Sequence, residues 1–524
     1  MKRAAVVALF LAHPFVPVPL DSNVGVTAAR TCESLAALTL PHAMITMAQE
    51  VTAGGFSRPA TGPFAADQGF TTPVAFCRVA VTLTPTADSD IKIEVWMPAT
   101  GWNGKFQAVG NGGWAGSLSY AAMSEALGLG YATSSTDTGH TGRGSGSFVL
   151  GHPEKYIDFA YRAVHEMTVA AKVVINAFYS TAPTHAYWNG CSTGGRQGLA
   201  EVQRYPKDFD GVIAGAQANP WTHLSARGLS LAQAALTDPA AFIPPSKYPV
   251  IHRAVLEACD ALDGVTDGLI SDPTQCTFDP HTLTCEGADG PGCLTERQVQ
   301  TARTMMRPAR TARGDEIFPG LAPGTELGWG SLAGGPEPAP VVIDHYKYVV
   351  FKDPNWNWRT FSLDRDVARA DTADKGTINA IDPRIQPFTR RGGKLLMYHG
   401  WADPVVSPGT SVNYYTTVEQ ALGGPFKAAD SVRLFMVPGM GHCRGGEGPN
   451  SFDMVAALER WVENGIAPNR IVASHMTEGH ADRTRPLCPY PQVAAYRGTG
   501  STDDEANFVC KAAPQRSKKI GPRK

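Results

Sequence analysis

Gly190-Cys191-Ser192-Thr193-Gly194-Gly195 is the stretch whose reading decides this chain. It fits Gly-x-Ser-x-Gly, in which a serine sits on a sharp strand-to-helix turn with its hydroxyl exposed. Ala186-Tyr187-Trp188-Asn189 reads as the strand entering that turn, and Gln197 to Arg204 falls on the helix leaving it. Far downstream, Val437-Pro438-Gly439-Met440-Gly441-His442-Cys443 reads as a strand and loop ending in a general base. The dipeptides Cys191-Ser192 and His442-Cys443 mirror each other. If the two cysteines are bonded, their Cα atoms lie within about 7 Å, and Ser192 and His442 are forced together. A staple between nucleophile and base is hard to explain as packing.

Between them, the apolar run Lys394-Leu395-Leu396-Met397 leads into Tyr398-His399-Gly400-Trp401-Ala402-Asp403. This reads as a buried strand delivering Asp403 at its C-terminal end. The chain order Ser192, Asp403, His442 is that of the α/β-hydrolases and differs from those of chymotrypsin and subtilisin. Gly-x-Ser-x-Gly alone is weak in a glycine-rich chain. Serine, acid and base in this order, each at a strand end, are specific. The competing reading is a structural serine, a helix-capping aspartate and a surface histidine.

Around these residues the pattern is one of alternating strands and helices, which implies a mostly parallel sheet. Strands are expected between Val79 and Pro98, at Gly104 to Gly110, at Leu129 to Asp137 and at Phe209 to Ala216, with an amphipathic helix from Asp158 to Tyr179. The rhythm then stops until Gly392. The expected organisation is a catalytic domain in two parts, 30–217 and 389–512, interrupted by an inserted lid domain, 218–388. A separate second domain with no catalytic part is the alternative. Residues 1–29 read as a secretory signal, with Met1-Lys2-Arg3 before the short apolar run Ala4 to Ala12. Residues 513–524 read as a frayed basic tail.

Composition narrows the function further. Lys+Arg 46 against Asp+Glu 48 leaves a net charge of −2, which provides no strong field for nucleic acid or an anionic membrane. No segment approaches the ~20 apolar residues of a membrane span. The ten cysteines and the leader imply disulfides and an oxidising compartment, secreted or periplasmic. A zinc site is disfavoured because no Cys-x-x-Cys or His-x-x-x-His cluster accompanies them. Phosphate-loop, dinucleotide and His-Glu-x-x-His signatures are likewise missing from the sequence.

Cys-Ser, then Asp, then His-Cys resembles the pattern of the tannase and feruloyl esterase family, which also includes the hydrolase of mono(hydroxyethyl) terephthalate. The resemblance runs from about Cys32 to Cys510. It implies disulfides Cys32–Cys77, Cys191–Cys443, Cys259–Cys276, Cys285–Cys293 and Cys488–Cys510. It implies an α/β-hydrolase fold and a secreted serine ester hydrolase acting on hydroxycinnamic or gallic esters. Such a substrate is a small aromatic ester, free or attached to plant polysaccharide or polyphenol. Thr193 stands where the terephthalate hydrolase has an acidic residue, which weakens that reading. The same fold could also serve an acyltransferase or a non-catalytic binder.

The oxyanion of such a reaction needs two preorganised N–H donors. One is the amide after the nucleophile, here Thr193; the other comes from a glycine-rich loop after an early strand, which Asn111-Gly112-Gly113-Trp114 suits. The resemblance selects Gly113, with Gly112 beside it as the alternative. Asp260-Ala261-Leu262-Asp263-Gly264-Val265-Thr266-Asp267-Gly268-Leu269 crowds three carboxylates in a way that suits Ca²⁺ but lacks EF-hand spacing. Matched to the family's lid loop, Asp260, Asp263 and Asp267 would ligate by side chain and Val265 and Leu269 by carbonyl, around a structural calcium. A solvated turn series is the competing reading. The aromatic run Phe351 to Arg359 reads either as lid residues that stack on an aromatic acid or, more often for such spacing, as core.

Overall fold

The computed structural model describes residues 30–58, 70–114, 116–142 and 144–513. Its centre is a nine-stranded sheet: β1 (Ala43–Val51), β2 (Phe76–Leu83), β3 (Ile91–Pro98), β4 (Lys105–Val109), β5 (Ala132–Thr136), β6 (His185–Cys191), β7 (Gly211–Gly215), β8 (Lys394–Gly400) and β9 (Val432–Val437). The spatial order is β1-β2-β3-β5-β4-β6-β7-β8-β9. The first four neighbours pair antiparallel, and every pairing from β5–β4 to β8–β9 is parallel.

Side-chain alternation explains how both faces are covered. Along β6, Ala186 and Trp188 face one core while Tyr187 faces another; along β7 it is Val212 and Ala214 against Ile213, and along β8, Leu395 and Met397 against Leu396. That is the period of two of a strand buried on both sides. Helices α2 (Ala163–Tyr179), α3 (Thr193–Arg204) and α8 (Gly409–Ala421) cover the first face; α1 (Tyr120–Gly128) and α9 (Met454–Asn464) cover the second. The helix expected from Asp158 begins as a π-helical turn, Asp158–Arg162, before it becomes regular.

Between β7 and β8 the chain leaves the sheet and builds a core of its own. Leu229, Ile251, Val255, Trp329, Tyr346 and Trp358 are buried together there. Around them run α4 (Trp221–Leu236), α5 (Tyr248–Cys259), α6 (Glu296–Met306) and α7 (Leu363–Asp374). Within the aromatic run, Phe351 stacks on Trp356 at 4.6 Å, and both pack on this core with Trp358 buried inside it. The run is therefore packing rather than a free stacking surface.

The five disulfides are Cys32–Cys77, Cys191–Cys443, Cys259–Cys276, Cys285–Cys293 and Cys488–Cys510. Several strands have no counterpart among those expected from the sequence, among them β1 and two C-terminal antiparallel ribbons, Ile471–Thr477 with His480–Leu487 and Gln492–Tyr496 with Phe508–Ala512. No helix among the described residues is long and apolar enough to cross a membrane. The leader at 1–29 and residues 514–524 of the tail lie outside the described residues.

Candidate active site

Parallel pairing brings the C-terminal ends of β6, β7, β8 and β9 to one edge of the sheet, and the three candidate residues follow β6, β8 and β9. Ser192 adopts φ 62° and ψ −121° between β6 and α3, a strained conformation for a residue with a side chain. It is held by surrounding backbone: its N–H donates to the Gly215 carbonyl at 2.9 Å, and its carbonyl accepts from Arg196 at 3.0 Å. The turn is tight enough that a Cβ on Gly190 would lie 2.6 Å from the Gly194 backbone. Only glycine fits there.

His442 joins the other two residues. Its Nε2 lies 2.9 Å from Ser192 Oγ, and its Nδ1 lies 2.7 Å from Asp403 Oδ2. Asp403 is fully buried, and its Oδ1 accepts from the amides of Val405 and Val406 at 2.8 and 3.0 Å. Burial alone would raise its carboxyl. The His442 charge and hydrogen bonds from His399 and His442 outweigh that and hold it well below the usual carboxylate range. Burial likewise lowers His442, but Asp403 more than compensates and leaves the imidazole above its ordinary value. The bond Cys191–Cys443 spans 6.0 Å between Cα atoms directly behind Ser192 and His442.

His399 carries a part that sequence reasoning missed. Its Nε2 faces two acceptors, Asp403 Oδ2 and the Val406 carbonyl, each at 3.0 Å, so this nitrogen bears a hydrogen. Ser411 Oγ lies 2.6 Å from Nδ1, and the ring is completely buried. Two histidines thus converge on one carboxylate oxygen. The available signal was its place four residues before Asp403 on the same strand end.

Gly113 and Thr193 also come together: Thr193 Oγ1 donates to the Gly113 carbonyl at 2.9 Å. Gly113 has φ +54°, and Thr193 opens α3, where the first amides of a helix have no carbonyl one turn back. Asn111 locks this loop to α3. It exchanges hydrogen bonds with the Gln197 side chain at 3.1 and 3.0 Å, and its carbonyl accepts from Gly194 at 2.8 Å. In the sequence, Asn111 and Gln197 stand out only as members of a loop and a helix.

A cavity of about 370 Å³ opens beside His442, lined by Trp401, Ala402 and Val405 from the sheet side and by Leu256, Leu269 and Leu327 from the inserted segment. At its wall His252 bridges the two parts. Its Nδ1 is 2.8 Å from the buried Glu326, and its Nε2 is 2.8 Å from Glu447, five residues after His442. Burial opposes charge on this ring, but the two carboxylates prevail and push it up to about 9.

In the Asp260–Leu269 loop, Asp260 accepts from the amides of Asp267 and Gly268 at 3.2 and 2.9 Å. Asp263 accepts from Val265 N–H at 2.9 Å, and Asp267 pairs with Arg485 at 2.6 Å. Burial first, then repulsion from Asp267 and Asp260, raises the Asp263 carboxyl despite its hydrogen bonds. A crowded set of hard oxygen donors in this state fits a divalent cation chemically. Among the described residues, however, the ligand atoms that already lie within 4.8 Å of one another belong to a different group: His165, Glu201 and Asp208.

The strand order, the serine on its elbow and the chain order of the three residues define an α/β-hydrolase. The tannase and feruloyl esterase model matches residues 77–511. An uncharacterised esterase of Xanthomonas campestris pv. campestris is 37% identical, covering 93% of this chain and 92% of the relative. A protein described as probable feruloyl esterase B-2 of Aspergillus terreus is 35% identical over 83% of this chain and 86% of its own length. The crystal structure of feruloyl esterase B from Aspergillus oryzae superposes with a TM-score of 0.86 at 32% identity, covering 92% of this chain and 99% of that one. Tannin acyl hydrolase from Aspergillus niger, 22% identical with a TM-score of 0.75, shares the fold. The chain belongs to the tannase and feruloyl esterase family and is a carboxylic ester hydrolase of that type.

Proposed function

We propose that this enzyme is a secreted serine esterase that cleaves esters of aromatic acids, hydroxycinnamic or gallic, through an acyl-enzyme. Ser192 Oγ attacks the ester carbonyl as His442 Nε2 takes its proton. His442 then returns that proton to the leaving alcohol, and water repeats the sequence to free the acid. Asp403 keeps Nδ1 protonated and balances the imidazolium. The Gly113 and Thr193 amides receive the oxyanion, a contribution on the order of 3 kcal/mol for each donor. The observation that carries the reading is the continuous hydrogen-bonded path from Ser192 Oγ through His442 to the buried Asp403.

An aromatic acyl group is supported by the apolar wall beside Asp403. Trp114, Phe159, Trp221 and Val406 form a buried cluster there, with Leu224, Tyr348 and Val405 partly buried against it. Residues 218–388 act as the lid over the cavity beside His442, to which they contribute Leu256, Leu269 and Leu327. A structural calcium in that lid would be held by Asp260, Asp263 and Asp267 and by the carbonyls of Val265 and Leu269. Its charge would neutralise the crowded carboxylates; no step of the reaction passes through it. Five disulfides support an exported enzyme.

The test is hydrolysis of methyl ferulate, methyl gallate and mono(hydroxyethyl) terephthalate side by side, with Ser192→Ala as control. The expected result is turnover of the first two, and a loss of roughly 10⁵-fold or more in the folded variant. Substantial activity in Ser192→Ala would overturn the mechanism, and turnover confined to the terephthalate ester would overturn the substrate class.

A further inference from the structure

We propose that His165, Glu201 and Asp208 form a metal site, separate from the Asp260–Leu269 loop, for a zinc-type divalent cation. His165 lies on α2, Glu201 on the last turn of α3 and Asp208 in the turn that leads to β7. One ligand atom from each lies within 4.8 Å of the other two.

Glu201 is the residue that asks for a ligand. It is 1% exposed, and neither of its carboxylate oxygens meets a hydrogen-bond donor. The group it faces is another carboxylate, Asp208, which adds to burial in opposing its charge. Lys172 is close by, but its ammonium donates to the Asp208 backbone carbonyl rather than to either carboxylate. A buried carboxylate confronted by a second, partly buried one is stabilised by a proton or a cation between them.

The third residue favours the cation. A proton shared by the two carboxylates involves Glu201 and Asp208 alone, whereas a metal would also take His165, whose Nδ1 hydrogen-bonds Asp208 Oδ2 at 2.6 Å and would exchange that hydrogen for the cation. The ring is already oriented by stacking on Tyr205, with centroids 3.8 Å apart. Its side chain is 27% exposed, which opens a route from solvent. One nitrogen and two carboxylates, with a position left for water, make a donor set that Zn²⁺ accepts. Glu201 is nine residues beyond Ser192, about 13 Å along the helix at ~1.5 Å per residue. The metal therefore clamps the nucleophile helix α3 to α2 and does not reach the ester.

The test uses tag-free, full-length protein in calcium-containing buffer, titrated with Zn²⁺ by calorimetry and with Co²⁺ by visible absorption. The expected result is one equivalent bound, a Co²⁺ band typical of low coordination, and a higher Tm with Zn²⁺. His165→Gln and Glu201→Gln should each lose the band and the Tm gain. His165 is partly exposed, so its variant reports even where Glu201→Gln fails to fold. No Zn²⁺ or Co²⁺ binding by the wild type would overturn the site and leave a proton-sharing carboxyl pair. Undiminished binding in His165→Gln would overturn it equally.

Discussion

Cys191 is bonded to Cys443 across 6.0 Å between Cα atoms, and each cysteine is one residue from an end of the Ser192–His442 hydrogen bond. The bridge joins points 252 residues apart in sequence, a closure whose entropic contribution reaches up to about 5 kcal/mol. Its local effect matters more. Cys443 has φ 65°, so the loop carrying His442 is held in a conformation that free chain would leave. Reduction, or Cys191→Ser with Cys443→Ser, should lower kcat by roughly 100-fold, the effect of an ångström-scale misplacement. The measurement is kcat against thiol count under native conditions. Full activity in folded, fully reduced protein would refute the bridge's positioning role.

His399 donates to the same Asp403 oxygen that His442 uses. His399→Leu removes that donor and leaves the Ser411 hydroxyl without its imidazole partner. We expect kcat to fall about 10–100-fold at nearly constant KM, with a stability loss of about 1–3 kcal/mol. Steady-state kinetics with denaturant unfolding separates the two effects. A stability loss with unchanged kcat would confine His399 to packing.

The pH profile should report His442. The proposed mechanism needs the neutral imidazole, and Asp403 raises its proton affinity. Activity should therefore be lost as pH falls through a value above the ordinary ~6.5 of histidine. Asp403→Asn should cost on the order of 10⁴-fold in kcat. A limb below the ordinary histidine value in the wild type would contradict the coupling.

His252 makes an opposite, alkaline prediction. Its folded value of about 9 exceeds the unfolded one, so its stabilising effect is complete below ~6.5 and disappears as pH rises through 9. The lost contacts tie the inserted segment, through His252 and Glu326, to Glu447 beside the His442 loop. The wild type should lose stability between pH 7 and 10 more steeply than His252→Gln does. Parallel curves from thermal melts across that range would reject the bridge.

Calcium should act on stability rather than on chemistry. If the Asp260, Asp263 and Asp267 carboxylates hold Ca²⁺, adding it at a hundred times its Kd contributes about 2.7 kcal/mol. Chelation should lower Tm by several degrees while leaving the kcat of the still-folded enzyme unchanged. A Tm indifferent to both Ca²⁺ and chelator, or equally affected in Asp263→Asn, would discard the site.

Much of the site was legible because its parts are local. The elbow is written in Gly190-Cys191-Ser192-Thr193-Gly194, where close backbone contact excludes side chains. Asp403 and His442 follow recognisable buried strands. The role of His399 was not legible, because an imidazole four residues before an acid has no signature until the loop turns back on itself. Asn111 and Gln197 lie 86 residues apart and meet only once β4 and β6 are adjacent. β1 was missed because its burial is irregular along an edge strand, so its alternation carries little signal.

The chain order Ser192, Asp403, His442, the strands that deliver them and the cysteines beside two of them were legible in the sequence, since each depends on short-range pattern, whereas the spatial order of the strands was decided by the tertiary structure. The tertiary structure alone decided which oxygen of Asp403 receives two histidines, that His252 bridges Glu326 and Glu447, and that the Phe351–Trp358 aromatics turn inward. It alone set Glu201 against Asp208 and His165. These relations join side chains from separate elements, and burial and charge fix their chemistry only after packing has removed the water between them.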